Sequence, residues 1–183
     1  MNRKLAFVAL MGLIVSNDSI CLAQRSQRGS EQRVFGAEAE SFKHPFPLPE
    51  AILEILSHDR EIPETIDEKE TPGAKLVPNS WFFASAVHLA DSDEKDVVVM
   101  GRCPLCGANV VPFWVFRPTA DGYEQVMFGR GLALEVMRHR TNGYSDIETS
   151  SVSQRKPWTG TWRFNGHKYV LTPDTKNHSA PPD

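Results

Sequence analysis

The sequence NVVPFWVFRPTADGYEQVMFG, residues 109–129, decides the fold. Its two apolar runs are rich in β-branched and aromatic residues, and the turn-forming stretch PTADG lies between them. This pattern predicts two antiparallel strands joined by a turn. Pro112 removes one hydrogen-bond donor from the first run, which predicts an edge or bulge position there.

Further β runs lie on both sides of this pair. Upstream, SWFFASAVHLA (80–90) has apolar residues on both of its alternating faces, which is typical of a strand covered on both sides. Downstream, LALEVMRHR and YSDIETSSVS precede TWRF-NG-HKYVL, whose Asn165-Gly166 pair is a strong hairpin signal. About eight strands at spacings of roughly 8–12 residues predict a sandwich or barrel-like arrangement.

One helix is expected before the strands, over residues 49–59. Pro49 suits the first helical position, and Glu50 beside it favours a helix start. An apolar stripe at helical spacing follows, formed by Ile52, Leu53, Ile55 and Leu56. The predicted class is therefore α+β, mainly antiparallel β, with one N-terminal helix. That helix is our preferred interpretation of what covers the doubly apolar strands, with a second sheet or a partner as the alternatives.

The amino end has the pattern of a secretory signal peptide. Met-Asn-Arg-Lys precedes an apolar run of 11 residues, and small residues around Ala23 give a cleavage site, so residues 1–23 form the predicted signal. The run is shorter than the about 20 residues that a membrane-spanning helix needs. We therefore expect an exported protein, periplasmic or extracellular, with no membrane span in its mature form.

The mature chain divides into three predicted segments. Residues 24–43 are polar and predict a flexible leader, residues 44–172 a single globular domain, and residues 173–183 a disordered tail. The whole chain has 183 residues and a formal net charge of −3. No basic patch of the kind that follows a phosphate backbone is present in the sequence, which argues against a nucleic-acid partner.

Cys103 and Cys106 allow three interpretations. An exported dithiol meets an oxidising environment, which favours a disulfide that staples the turn between two strands. A zinc site would need two further ligands, for which His88 and His139 are the candidates. A redox-active dithiol needs a helix start, and the glycine, β-branched residues and proline that follow disfavour one. We favour the disulfide and keep a zinc- or thiol-dependent protein as the alternative.

Catalytic sequence motifs are absent. The chain has no Gly-x-Ser-x-Gly, no His-Glu-x-x-His and no phosphate-binding glycine loop. The sequence therefore favours a non-enzymatic binding or interaction domain without a cofactor, whose partner is an unknown protein or small ligand.

Two motifs near the carboxyl end carry a resemblance. They consist of Gly143, Tyr144, Asp146 and Ile147, followed after a strand by Phe164, Asn165, Gly166 and Tyr169. Together with the β runs before them, they resemble uncharacterised exported bacterial proteins that carry Gly-Tyr-x-Asp-Ile/Leu and then a Phe-Asp/Asn-Gly-x-x-Tyr hairpin. The resemblance covers about half of the chain, from Ser80 to Val170.

This resemblance implies an exported location and structural roles for the motif residues. Asp146 would cap a turn, and Tyr144 and Tyr169 would pack with polar tips; no catalytic residue is implied. Similar small exported β domains include inhibitors of lysozymes, so inhibition of a wall-degrading hydrolase is a hypothesis by analogy. An inhibitor would present a protruding loop, for which residues 118–122 and 153–160 are the candidates.

Overall fold

The computed structural model describes residues 31–37, 42–62, 76–107, 110–153 and 156–172. These residues form one α-helix and nine strands in two sheets, so the predicted α+β class is confirmed and the arrangement is a sandwich rather than a barrel. The bounds are α1 Glu50–Ser57, β1 Val34–Gly36, β2 Phe82–Val87, β3 Asp96–Gly101, β4 Val111–Thr119, β5 Gly122–Gly131, β6 Ala133–Thr141, β7 Tyr144–Ser153, β8 Lys156–Phe164 and β9 Tyr169–Thr172.

The two sheets are antiparallel throughout. The central sheet has the strand order β2-β3-β4-β5, and the outer sheet has the order β1-β6-β7-β8-β9. The chain passes from one sheet to the other at Leu132, between β5 and β6. There the backbones approach closely, because a Cβ atom on Gly131 would lie 2.7 Å from the carbonyl oxygen of Ser150.

The central sheet is covered on both faces, as the sequence pattern predicts. Along β4, Phe113 and Val115 pack into the core between the sheets, whereas Trp114 and Phe116 pack on the side of helix α1. This alternation follows from the two-residue period of a strand. The cover is therefore the helix on one face and the outer sheet on the other.

Helix α1 buries the apolar stripe that predicts it. Ile52 and Leu56 lie four positions apart and are both fully buried against the central sheet. Pro49 immediately precedes the helix, whose observed bounds are slightly shorter than the predicted range of 49–59. The helix prediction is thus confirmed, with the proline one position further out.

One described strand lies within the predicted leader, upstream of residue 44. Within the predicted leader, Val34–Gly36 forms β1 and pairs with β6. Phe35 is fully buried, and its ring centroid lies 5.3 Å from that of Phe42. Burial of this one aromatic side chain explains why residues 34–36 stay paired with β6. A strand of three residues is too short to show an alternating pattern in the sequence.

Two of the predicted segments lie outside the described residues. These are the signal peptide over 1–23 and the tail over 173–183. In the part of the chain that the structure describes, no helix is long and apolar enough to cross a membrane. All described strands and helix α1 belong to one compact unit that begins at Gln32.

Candidate functional site

Two groups of residues, one at each end of the strands, are the candidate functional regions. The first, the disulfide end, comprises the connection from β3 to β4 and the β5-to-β6 crossing at Leu132. The second, the aromatic end, comprises Arg117, Tyr144, Phe164 and Tyr169, close to the turns that join the other strands. A cleft lies at the first end and a buried polar network at the second.

At the disulfide end, Cys103 and Cys106 lie at disulfide distance, as predicted, with their Cα atoms 4.7 Å apart. Backbone hydrogen bonds hold the surrounding turn: the Leu105 N–H donates to the Arg102 carbonyl, and the Gly107 N–H donates to the Val110 carbonyl at 2.8 Å. The two sulfurs are therefore paired with each other within this turn.

A cleft of about 430 Å³ opens beside this pair. Four segments that are distant in sequence build it, and apolar side chains share its lining with small residues and polar groups. The lining residues are Ala37, Phe83, Gly101, Arg102, Cys103, Cys106, Gly107, Val110, Val111 and Leu132. Its volume lies within the range of about 300–1,000 Å³ that is usual for small-molecule sites.

Arg102 is the one charged residue among the described residues that line the cleft. Its guanidinium carbon lies 4.3 Å from the centre of the Phe83 ring, within the range of a cation–π contact. One of its terminal nitrogens donates to the Ser80 carbonyl at 3.1 Å. Among the described residues the exposed Arg102 side chain forms no ion pair, and these two contacts hold its guanidinium.

A second depression, of about 620 Å³, lies between the end of helix α1 and strand β5. Its lining combines the apolar side chains of Ile55 and Phe128 with His58, Asp59, Arg60 and Gln125. Asp59 accepts a hydrogen bond from the buried indole of Trp114 at 2.9 Å. This contact gives the carboxylate of Asp59 a structural role.

At the aromatic end, three residues of the resemblance motifs form one cluster. The rings of Tyr144 and Phe164 stack with centroids 4.1 Å apart, and the ring of Tyr169 meets Phe164 edge-on at 5.4 Å. The Arg117 guanidinium lies 5.5 Å from the Phe164 ring and donates to Glu124 at 2.7 Å. Arg117 therefore ties the central sheet to the outer sheet, and the motif tyrosines pack with polar tips as the resemblance implies.

Two titratable groups are buried near this cluster. Burial raises the pKa of Asp96 to about 6, although the Leu89 N–H donates to its carboxylate and the charges of Arg117 and His88 act in the opposite direction. Burial likewise raises the pKa of Tyr169, whose hydroxyl donates to the Ser145 carbonyl at 2.8 Å. Each group has an internal partner, which fits a role in holding the sheets together.

Asp146 does not cap a turn, contrary to the role implied by the resemblance. It lies within β7 and is buried, and its Oδ2 atom is 2.7 Å from Nδ1 of His139 and 3.7 Å from Nε of Arg163. A shift in strand register between Val136 and Arg140 accompanies this contact with β6. Asp146 is thus held by the side chains of the two neighbouring strands.

The four candidate zinc ligands are divided between the two ends. Cys103 and Cys106 follow the carboxyl end of β3, whereas His88 lies beside its amino end and His139 contacts Asp146. The six residues of β3 span about 17 Å, at roughly 3.3 Å per residue. Within the described ranges, no group of three or more His, Cys, Asp and Glu residues could hold a metal ion.

The two loops proposed for an inhibitor differ in structure. Residues 118–122 form the tip of the β4–β5 hairpin, where Thr119, Ala120 and Asp121 are exposed. Most of the range 153–160 belongs instead to β8, which begins at Lys156 and pairs with β7. Residues 154–155, which connect β7 to β8, lie outside the described residues, so the hairpin tip at 118–122 is the described turn of the two.

The cleft was missed by reasoning from sequence alone. Its lining combines Ala37, Phe83, the disulfide turn and Leu132, and nothing in a single sequence indicates that these positions meet. The sequence predicts the cysteine turn, which forms one wall of the cleft. The positions of the other walls depend on how the two sheets pack. No family model, curated protein or solved structure matches this chain.

Proposed function

We propose that this protein is an exported, non-enzymatic binding domain whose ligand enters the cleft at the disulfide end. The observation that carries the proposal is the cleft itself, a space of about 430 Å³ next to a cysteine pair at disulfide distance, lined by apolar side chains and polar groups. Clefts of this size that combine apolar side chains with a few polar groups are the usual sites of small ligands.

Export is supported by two features. The sequence begins with the charged, apolar and small-residue regions of a signal peptide, and the cysteines are paired as in proteins of oxidising compartments. We place the mature protein in the periplasm or outside the cell. The intact mass of the exported protein tests this: cleavage after Ala23 and a mass two hydrogens below that of the dithiol form are expected.

We propose a non-enzymatic function because the buried titratable groups near the aromatic end have internal partners. Asp96 and Tyr169 have raised pKa values, which often mark catalytic sites. Here both are enclosed, and each is engaged by a backbone partner in the seam between the sheets. Structural networks perturb pKa values in the same way, so these groups support a scaffold function.

Fluorescence of N-phenyl-1-naphthylamine, a neutral apolar dye, tests binding in the cleft. Leu132 lines the cleft and is 37% exposed, whereas Val170 is 38% exposed on the distant strand β9 and serves as the matched control. We expect Leu132→Ser to weaken dye binding at least fivefold and Val170→Ser to leave it unchanged. Equal dye affinities in both variants and the parent protein would contradict the proposal.

Inhibition of a wall-degrading hydrolase is a second candidate function. It is favoured by the exposed hairpin tip at Thr119, Ala120 and Asp121, which is a suitable shape for insertion into an active-site groove. The test is the rate of peptidoglycan hydrolysis by a lysozyme with and without the exported protein. Inhibition that disappears in a variant with a shortened 119–122 turn would favour this candidate over a small-ligand function.

A further inference from the structure

We infer that the ligand of the cleft is a small amphiphile, an apolar or aromatic body with one anionic head group, and that Arg102 binds the head. This inference rests on the proposed function, since it assigns a chemical class of ligand to the same cleft. Three properties of the lining support it: the apolar walls, the single charge and the fixed position of that charge.

The walls favour an apolar body. Phe83, Val110, Val111 and Leu132 present hydrocarbon surface, and the two cysteine sulfurs add a polarisable surface of low polarity. Apolar surface that leaves water on binding contributes roughly 25 cal/mol per Å². A ligand without an apolar body would leave these walls without a partner.

The charge favours an anionic head. Among the described residues that line the cleft, Arg102 is the one charged residue and none carries a carboxylate. A cationic ligand would be repelled, and a neutral one would gain only from apolar contact. Carboxylate and sulfonate groups can accept two parallel N–H bonds from one guanidinium, which is the strongest arrangement available to this side chain.

The position of Arg102 is fixed before any ligand arrives. Its guanidinium stacks on Phe83, and one nitrogen is held by the Ser80 carbonyl, while the backbone N–H of Arg102 donates to the Trp81 carbonyl at 2.7 Å. A guanidinium has five N–H donors, and the contact with Ser80 uses only one side of the group. Binding therefore loses little side-chain entropy, as expected of a built site.

A pair of dyes separates the head group from the body. The probe 8-anilinonaphthalene-1-sulfonate has the same ring skeleton as N-phenyl-1-naphthylamine and differs by its sulfonate. We expect the sulfonate dye to bind the exported protein more tightly than the neutral dye. Arg102→Gln should weaken the sulfonate dye about tenfold, equivalent to about 1.4 kcal/mol, and change the neutral dye less than about twofold.

Two further variants complete the experiment. Arg102→Lys keeps the charge but loses the planar donor fork, so we expect an intermediate affinity for the sulfonate dye. Arg138→Gln removes an exposed arginine from strand β6 and serves as the charge-matched control, with no effect expected on either dye. Salt should weaken only the sulfonate dye, because screening acts on the charge pair.

The outcomes distinguish this inference from the proposed function. If the neutral dye depends on Leu132 while Arg102→Gln leaves the sulfonate dye unaffected, the anionic head is refuted and the apolar cleft stands. If neither dye depends on Leu132, the cleft is not a binding site and both proposals fail together. If both dyes lose affinity equally in Arg102→Gln and Arg102→Lys, Arg102 supports the cleft wall and does not bind the head.

Discussion

Trp114 donates its indole N–H to the Oδ2 atom of Asp59 at 2.9 Å, which joins the middle of the central sheet to the segment that follows helix α1. The indole is fully buried, and the carboxylate of Asp59 also accepts the backbone N–H of Glu61. One side chain thus satisfies a buried donor in the sheet and orders the turn after the helix.

Asp59→Ala should destabilise the protein by about 1–3 kcal/mol, because it leaves the buried indole N–H without an acceptor. Asp59→Asn retains an oxygen acceptor and should lose less. Urea unfolding followed by tryptophan fluorescence measures both variants, and Asp121→Ala in the exposed β4–β5 turn is the control. Equal stability of Asp59→Ala and the parent protein would show that the hydrogen bond contributes nothing net.

Asp96 should make the protein less stable as the pH rises from about 4 to above 6. Its pKa is raised from 3.8 to about 6 in the folded state, so the native protein binds the proton more strongly than the unfolded chain does. The resulting stabilisation is fully present below pH 3.8 and is lost as the pH passes through about 6.

Asp96→Asn removes this contribution while keeping an oxygen for the Leu89 N–H. Other carboxylates give pH effects of their own, so the quantity to measure is the difference in unfolding free energy between parent and variant. That difference should change by on the order of 2–3 kcal/mol between pH 4 and pH 7, in favour of the variant at high pH. A difference that does not vary with pH would contradict the raised pKa.

Arg117→Met should destabilise the protein by about 1–2 kcal/mol. The variant loses the contacts of the guanidinium with the Phe164 and Tyr144 rings and the ion pair with Glu124. Because the charge of Arg117 lowers the pKa of Asp96, the same variant should also move the pH transition of Asp96 upward. Glu124→Gln, which removes only the exposed partner, should have a smaller effect on stability and is the matched control.

Gly131→Ala should be more damaging than its small size suggests. A Cβ atom there would lie 2.7 Å from the Ser150 carbonyl oxygen, and a backbone atom cannot move aside as the end of a side chain can. We expect a loss of about 1–3 kcal/mol, the usual range for overpacking. In Gly143→Ala the added Cβ atom would meet nothing within 4 Å, and the strain would come only from the φ angle of +83°. Thermal unfolding should therefore show a smaller loss of stability for this variant.

Replacement of both Cys103 and Cys106 by serine should lower stability by about 2 kcal/mol or less, because the cross-link closes a very short loop. The fold and the binding of the neutral dye should persist. A native mass spectrum of the parent protein gives the second measurement. Bound zinc together with two unpaired thiols would instead favour the metal-dependent alternative.

Much of the fold could be predicted because its signals are local. The spacing of Ile52 and Leu56 predicts the buried helix stripe, and the alternation of Phe113, Trp114 and Val115 predicts a strand between two layers. Strand β1 could not be found in this way, because its anchor is the single residue Phe35 in a polar segment.

The candidate site was predictable only in part. The pairing of the cysteines follows from their spacing, whereas the clustering of Tyr144, Phe164 and Tyr169 was not predicted. The role of Asp146 could not be predicted either, because its partners His139 and Arg163 lie on neighbouring strands. The cleft was not predictable at all. It exists because Leu132, where the chain changes sheets, lies opposite the β3–β4 turn, and that depends on the packing of the whole sandwich.

The short strand β1 also constrains the order in which the protein can assemble. Its neighbour Arg33 donates from Nε to the carbonyl of Val136, 103 residues further along the chain. During synthesis, which starts at the amino end, the β1 segment is therefore made long before β6, the strand with which it pairs. Strand β1 can pair only after β6 has been made, and the outer sheet is complete only once β9, near residue 170, is present as well, so a nascent chain keeps both edges of this sheet unfinished until most of it has been synthesised.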